Sequence, residues 1–337
     1  MNSIKIIIYL IIGLTILFIL FMLSRIITDK KINNITNNES ASSTSVKKLF
    51  LGGKLSTDFS LHSIPIDKIL DGGPGKDGIP ALVDPTFTTL AEAEKWLPPH
   101  ADGLLVTINQ MTKFYPFNIL VWHEVVNDTI NNQPIVVTFC PLCGSAIVFD
   151  AQLDNKREYF GVSGKLYESN LLMYDKTTES LWSQIIGEAV VGTKTNTKLK
   201  IIPAQVISLA TLKNNYPDAK VMSKETGYNR NYTTGPYGDY NDNNDLYFPI
   251  SINDNRLPTK EIMYITNFEE HSIAWQRNAL SESVPATIKV GSSTLTALII
   301  NNEIIVKTND GTTLPGYTAM WFSFAIHHQK DGLVWKK

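Results

Sequence analysis

The chain has 337 residues, 30 basic and 32 acidic side chains, and two cysteines. A near-neutral charge without a basic run excludes nucleic acid as a partner. Two cysteines exclude a disulfide-framework protein, and the length allows one large or two ordinary domains.

Ile6 to Leu23 is uncharged and almost wholly apolar. At about 1.5 Å per residue it nearly crosses a hydrocarbon core of about 30 Å. The run is long for a signal-peptide core, and Ser24-Arg25-Ile26-Ile27 offers no small-x-small cleavage site. The expectation is an uncleaved single-span anchor over residues 1–27, with the membrane as its partner. Arg25, Lys30 and Lys31 follow the span and Lys5 precedes it, which by charge counting favours a cytoplasmic C-terminal side. A lone anchor followed by a polar spacer suits an exported domain instead, and large domains cross regardless of flanking charge. The globular part is therefore expected to be extracytoplasmic. Residues 28–48 are rich in Asn, Ser, Thr and Lys and read as a flexible polar tether, with residues 49–337 as the globular domain.

Leu70 to Pro80 holds four glycines and two prolines and reads as an ordered loop. Its glycine spacing does not suit a Walker loop. Thr88 to Leu97 predicts a helix, capped by Thr88 or Thr89, with Glu92 in its first turn and Pro98-Pro99 as its stop. Leu104 to Ile108 is a short strand. Pro116 then opens a helix through Ile119, Leu120 and Trp122 that ends at His123-Glu124.

Pro134 to Asp150 reads as strand, turn, strand, with β-branched and aromatic residues on both arms. Pro141 fixes one turn dihedral and Gly144 accepts a positive φ. Cys140 and Cys143, three apart, direct both sulfurs into one small space, which allows shared metal ligation or a local disulfide. The turn is half of a zinc-ribbon site, and no second Cys-x-x-Cys exists in the chain. His123 lies within reach once helix and hairpin fold together. It is either a ligand or a hydrogen-bonded histidine at a helix end.

From Arg157 onward strands dominate: Glu158 to Ser163, Leu171 to Asp175 and Glu188 to Gly192. Asp175-Lys-Thr-Thr-Glu-Ser reads as a turn with side chains bonding backbone amides. Its second reading places Asp175 and Glu179 in a pocket for acid–base work. Ser208 to Asn214 is a short helix. Tyr228 to Tyr247 is an irregular loop whose tyrosines can stack on a sugar or peptide. Ile262 to Thr266, Ala286 to Val290, Thr294 to Ile300 and Glu303 to Lys307 form a closing meander. Ala319 to His328 reads as a buried strand in which one of His327 and His328 at most faces inward.

The expected fold is β-rich α+β: a single compact domain of mostly antiparallel short strands with few helices. The expected site is a zinc or copper centre held by Cys140, Cys143 and His123, serving metal handling or electron transfer. Glu124, Asp175, Glu179 and His328 are the candidates to line the pocket or hold the imidazole. The alternative is a structural or redox disulfide between Cys140 and Cys143 in a non-enzymatic extracytoplasmic binding domain.

Several motifs follow one another in order: Gly73-Pro-Gly-Lys-Asp-Gly-Ile-Pro80, Tyr115-Pro116, Trp122-His-Glu-Val-Val-Asn-Asp128 and Val137-Thr-Phe-Cys-Pro-Leu-Cys-Gly144. Phe160-Gly-Val-Ser-Gly164, Leu172-Met-Tyr-Asp175, Thr178-Glu-Ser-Leu-Trp-Ser-Gln184 and Gly235-Pro-Tyr237 complete the series. Together they resemble the family catalogued as domain of unknown function 3179, from about Asp71 to near the C-terminus. The chain departs from that pattern at Lys113-Phe114, at Trp321-Phe-Ser-Phe324 and at Gln329. The resemblance supports the domain assignment and points to His123, Cys140, Cys143, Asp175 and Glu179. It carries no activity with it.

Overall fold

A computed structural model describes residues 53–337. The expected anchor over Ile6 to Leu23 and the tether after it lie outside the described residues. Among those described, no helix is long and apolar enough to cross a membrane.

The architecture grows out of the hairpin that carries the cysteines. Its arms, Gln133–Cys140 and Ser145–Asp150, pair in antiparallel register with Cys140 opposite Ser145. Ile135, Val136 and Val137 on one arm, and Ala146, Val148 and Phe149 on the other, are all fully buried. Burial without alternation means that both faces of the hairpin are covered. It therefore sits inside an eight-stranded mixed sheet. The order is Leu82–Val83, Val125–Ile130, the two arms, Gly316–Met320, Ile262–Phe268, His271–Gln276 and Gly332–Trp335.

Two further five-stranded sheets and a four-stranded meander pack around it. One five-stranded sheet contains the hairpin Phe160–Tyr167 and Asn170–Asp175. Asn127 ties it to the large sheet: its Nδ2 donates to Phe160 O at 2.9 Å, and its Oδ1 accepts from Phe160 N at 2.7 Å. A buried side chain thus completes two backbone bonds that no neighbouring strand supplies. The glycine-rich loop docks on the same hairpin, with Gly72 N donating to Gly164 O at 2.8 Å and Asp77 N to Val162 O at 2.9 Å.

Among the described residues the four α-helices are Leu90–Ala93, Phe117–His123, Leu209–Asn215 and Trp321–His327. The described residues thus form a compact, β-rich unit with few helices, as expected. Two elements differ from the sequence reading. The helix expected over Thr88 to Leu97 is shorter, although Thr89 caps it as predicted by accepting from Glu92 N at 3.3 Å. Lys95 N and Trp96 N bond three residues back, to Glu92 O and Ala93 O, which tightens the chain out of the α-helical ladder. The segment Ala319 to His328 is the end of a strand followed by a helix. Trp321, Phe322, Phe324, Ala325 and Ile326 are all buried, so the helix shows no polar face. Such an apolar run has no period that separates strand from helix.

The strand Lys220–Met222 and the strand Ile262–Phe268 are joined by a long connection whose only regular element is the short turn Tyr240–Asp242. This connection covers the cysteine turn.

Candidate functional site

Both cysteines are free thiols and both are buried. The structural disulfide that stood as the alternative is therefore not formed. The turn between them is fixed by Cys143 N donating to Cys140 O at 3.3 Å and by Met320 N donating to Cys143 O at 2.7 Å. Gly144 closes it with φ of +58°, where a Cβ would stand 3.1 Å from Met320 Cγ.

Polar groups converge on the Cys143 sulfur. Asn170 Nδ2 donates to it at 3.1 Å, and Ser145 Oγ lies 3.0 Å away. The Cys140 thiol and the Ser145 amide add further hydrogen bonds. Burial alone works against a charged sulfur, but these bonds together outweigh it and bring the Cys143 thiol down to about 7. Cys140 moves the other way. Burial, and its role as donor to Cys143, push its thiol well above the usual range. The turn thus pairs a thiolate-forming cysteine with one that keeps its proton.

Gln184 organises the donors. Its Oε1 accepts from Ser145 Oγ and, at 3.0 Å, from Asn170 Nδ2. Its Nε2 donates to Thr138 Oγ1 at 3.0 Å. Asn170 Oδ1 accepts from Ile185 N at 3.2 Å, which fixes the amide orientation. Ser145 has a single hydroxyl proton. It serves Gln184 while Cys143 is a thiol and can turn to the sulfur when Cys143 ionises, because Asn170 still satisfies Gln184.

Glu124 completes the site. It follows the helix Phe117–His123 at a φ of +59°, a conformation unfavourable for a glutamate. Its carbonyl accepts from Phe139 N at 2.8 Å, beside Cys140. Tyr237 OH donates to its Oε1 at 2.8 Å. Burial raises the Glu124 carboxyl to about 7, the bond from Tyr237 opposes this, and the charge of Cys143 adds to it. The long connection forms the roof. Tyr240 OH donates to Leu142 O inside the cysteine turn at 2.6 Å. Lys260 Nζ lies 3.4 Å from the centre of the Tyr240 ring and donates to Tyr240 O.

His123 is turned away from this site. One ring nitrogen, Nδ1, lies 2.7 Å from Pro80 O, and Nε2 lies 2.8 Å from Tyr232 OH. A carbonyl only accepts, so Nδ1 carries the proton and Nε2 accepts from Tyr232. Burial pushes the His123 ring down to about 4, so it is neutral. With both nitrogens engaged, it does not join the cysteines. Among the described residues no three His, Cys, Asp or Glu side chains come together to hold a metal ion. The two sulfurs of the expected zinc or copper site lie together in the turn, while the His123 imidazole is engaged by Pro80 and Tyr232.

The other expected residues are structural. Asp175 is fully buried and accepts from Thr178 N at 2.6 Å and Trp182 Nε1 at 2.9 Å, the turn-forming role read first for it. Glu179 binds Lys76 Nζ at 2.5 Å and Ser56 N at 2.7 Å, clipping the first described residues to the domain. His328 Nδ1 pairs with Asp331 Oδ2 at 3.1 Å. A groove of about 360 Å³ elsewhere is bordered by Leu105, Thr107, Gln205 and Pro315. It is lined by no cysteine or histidine, and its Glu303 is engaged by Tyr216 OH at 2.9 Å.

Sequence reasoning missed Ser145, Gln184, Tyr237 and Tyr240 as parts of the site. The sequence reading leaves Asn170 unassigned and takes the tyrosine loop as an irregular stretch whose rings can stack on a sugar or peptide.

No curated protein and no solved structure matches the chain at a significant level. The family model described as a protein of unknown function, DUF3179, matches residues 76–314. That match takes in the end of the glycine-rich loop, the cysteine turn and the tyrosine roof, covers more than half of the chain, and shows that the chain belongs to this family.

Proposed function

We propose that Cys140 and Cys143 form a reactive dithiol that exchanges with disulfides. The observation that carries this reading is the convergence of Asn170, Ser145 and the Cys140 thiol on one sulfur, Cys143. A buried cysteine with a packing role alone needs no donors, whereas a nucleophilic thiolate does. In the forward direction the Cys143 thiolate attacks one sulfur of a partner disulfide and expels a thiolate. Cys140 then loses its proton, attacks the Cys143 sulfur in the mixed disulfide and expels the second thiolate. The protein's two thiols become a disulfide and the partner is reduced to two thiols. The reverse sequence oxidises a partner dithiol. The buried turn requires that the connection carrying Tyr237 and Tyr240 opens during exchange.

The test is equilibration of the purified protein in mixtures of reduced and oxidised dithiothreitol, with free thiols counted by mass after alkylation. Reversible loss of both thiols together, absent in Cys140→Ser and Cys143→Ser, is the expected result. Two free thiols across the whole range, or stoichiometric bound metal that shields them, would sink the reading.

A further inference from the structure

Resting on the dithiol reading, we propose that Glu124 is the proton acceptor for Cys140, and that it returns this proton to the departing thiolate. The exchange sequence leaves one need unmet. Cys143 can attack as a thiolate, but Cys140 holds its proton and must lose it before it can close the disulfide. Cys140 is buried at the end of a central strand, so a group already inside is nearer to it than water that enters as the roof opens.

Glu124 is placed for this. It is a buried carboxylic acid, Cys140 feels its charge, and it in turn feels that of Cys143. Its backbone is locked beside Cys140 by the bond from Phe139 N. It occupies a left-handed conformation that asparagine or glycine adopts more readily. That strain argues for the side chain, since a helix C-terminus alone would be better served by glycine. The remaining titratable group facing the carboxyl is Tyr237. Tyr240 and Lys260 stand over the cysteine turn, and His123 faces Pro80 and Tyr232. None of these four side chains is set to take a proton from Cys140.

The proton balance closes. Cys140 S–H gives its proton to the Glu124 carboxylate as its sulfur bonds to Cys143. The Cys143–partner S–S bond breaks, and the partner leaves as a thiolate. Glu124 then protonates that thiolate. Because the carboxyl is raised to about 7, it is matched to both transfers near neutral pH.

The experiment uses the full chain and oxidised glutathione as the disulfide. Acid-quenched samples are resolved by mass into the glutathione adduct on Cys143 and the closed Cys140–Cys143 disulfide. In the unaltered protein the adduct is short-lived, and closure accelerates as pH rises through about 7. In Glu124→Gln, adduct formation is expected within about twofold of normal while the adduct persists about 100-fold longer, the scale of general acid–base assistance. Tyr237→Phe removes a donor that favours the carboxylate, so it should move the closure midpoint to higher pH. Closure in Glu124→Gln at the normal rate and with the normal pH profile overturns the proton role while the dithiol reading stands. If Glu124→Gln fails to fold, an unmoved midpoint in Tyr237→Phe overturns it equally. Failure of the unaltered protein to close any disulfide removes the dithiol reading, and this role with it.

Discussion

Asn170 and Cys143 meet at the junction of two sheets, with the Asn170 amide nitrogen 3.1 Å from the sulfur. Asn170 opens the strand Asn170–Asp175 of one sheet, and Cys143 lies in the turn of the central hairpin of another. The amide is oriented from behind by Ile185 N on its oxygen. It therefore presents a proton to the sulfur, and the packing of two sheets holds a hydrogen-bond donor against one thiol.

Asn170→Asp keeps the shape and the acceptor for Ile185 N but replaces the donor with a negative charge. The Cys143 thiol should rise from about 7 by more than one unit, since like charges at close range disfavour ionisation. Ser145→Ala removes another side-chain donor without adding a charge and should cause a smaller rise. Thiolate absorbance followed against pH reads both, and an unmoved titration in Asn170→Asp would contradict the donor geometry.

Glu179 acts as a clip. Its Oε2 accepts from Ser56 N at 2.7 Å and Ser56 Oγ at 3.0 Å, and its Oε1 faces Lys76 Nζ. Burial raises its carboxyl, but the bonds from Lys76 and Ser56 prevail and lower it. A lowered carboxyl contributes stability that is present above its unfolded value and is lost as pH falls through the folded one. Glu179→Ala should therefore release the Ser56 amide to rapid hydrogen exchange at neutral pH. The cysteine thiols should titrate as before.

Gly164 shows how tightly the glycine-rich loop is seated. It has a φ of +74°, and a Cβ there would stand 2.5 Å from the carbonyl carbon of Gly75. Gly164→Ala combines a left-handed residue with a backbone clash and should cost about 2–4 kcal/mol. Urea unfolding measures it. Gly75→Ala meets only its own positive φ, since nothing lies near its Cβ position, and should cost less.

How much of this was legible in the sequence depends on the range of each interaction. Pro141, Gly144 and the flanking β-branched residues were enough to place the hairpin, and Pro116 was enough to start the helix that ends at His123. These are local effects. Glu124 takes φ of +59°, and the chain then swings into the strand Val125–Ile130. No residue type at that position signals such a turn. That swing takes the Glu124 carboxyl to Tyr237 in the roof over the cysteines, while the His123 ring goes to Tyr232. The remaining partners are far apart in the chain: Glu124 and Tyr237 by 113 residues, Ser56 and Glu179 by 123, Gln184 and Ser145 by 39. Such pairings are set by sheet packing, which no local pattern encodes.

The buried histidines and Glu124 together fix how stability responds to acid. Burial lowers His123 and His327 from 6.5 to about 4, and it raises Glu124 from 4.5 to about 7. Between about pH 4.5 and 6.5 the unfolded chain therefore binds more protons at two imidazoles, while the folded chain binds more at one carboxyl. The difference is about one extra proton on the unfolded side. Stability should then rise with pH by up to about 1.4 kcal/mol per unit in this window. Asp77 and Asp102, raised by burial, oppose this towards the acid end, and exposed carboxylates such as Asp71 reinforce it there. Removing one imidazole in His123→Gln should flatten the slope. Removing the carboxyl in Glu124→Gln should steepen it. Urea unfolding free energies at three pH values across the window test both signs. Equal slopes in the two variants would mean that His123 and Glu124 titrate in the folded protein as they do in water.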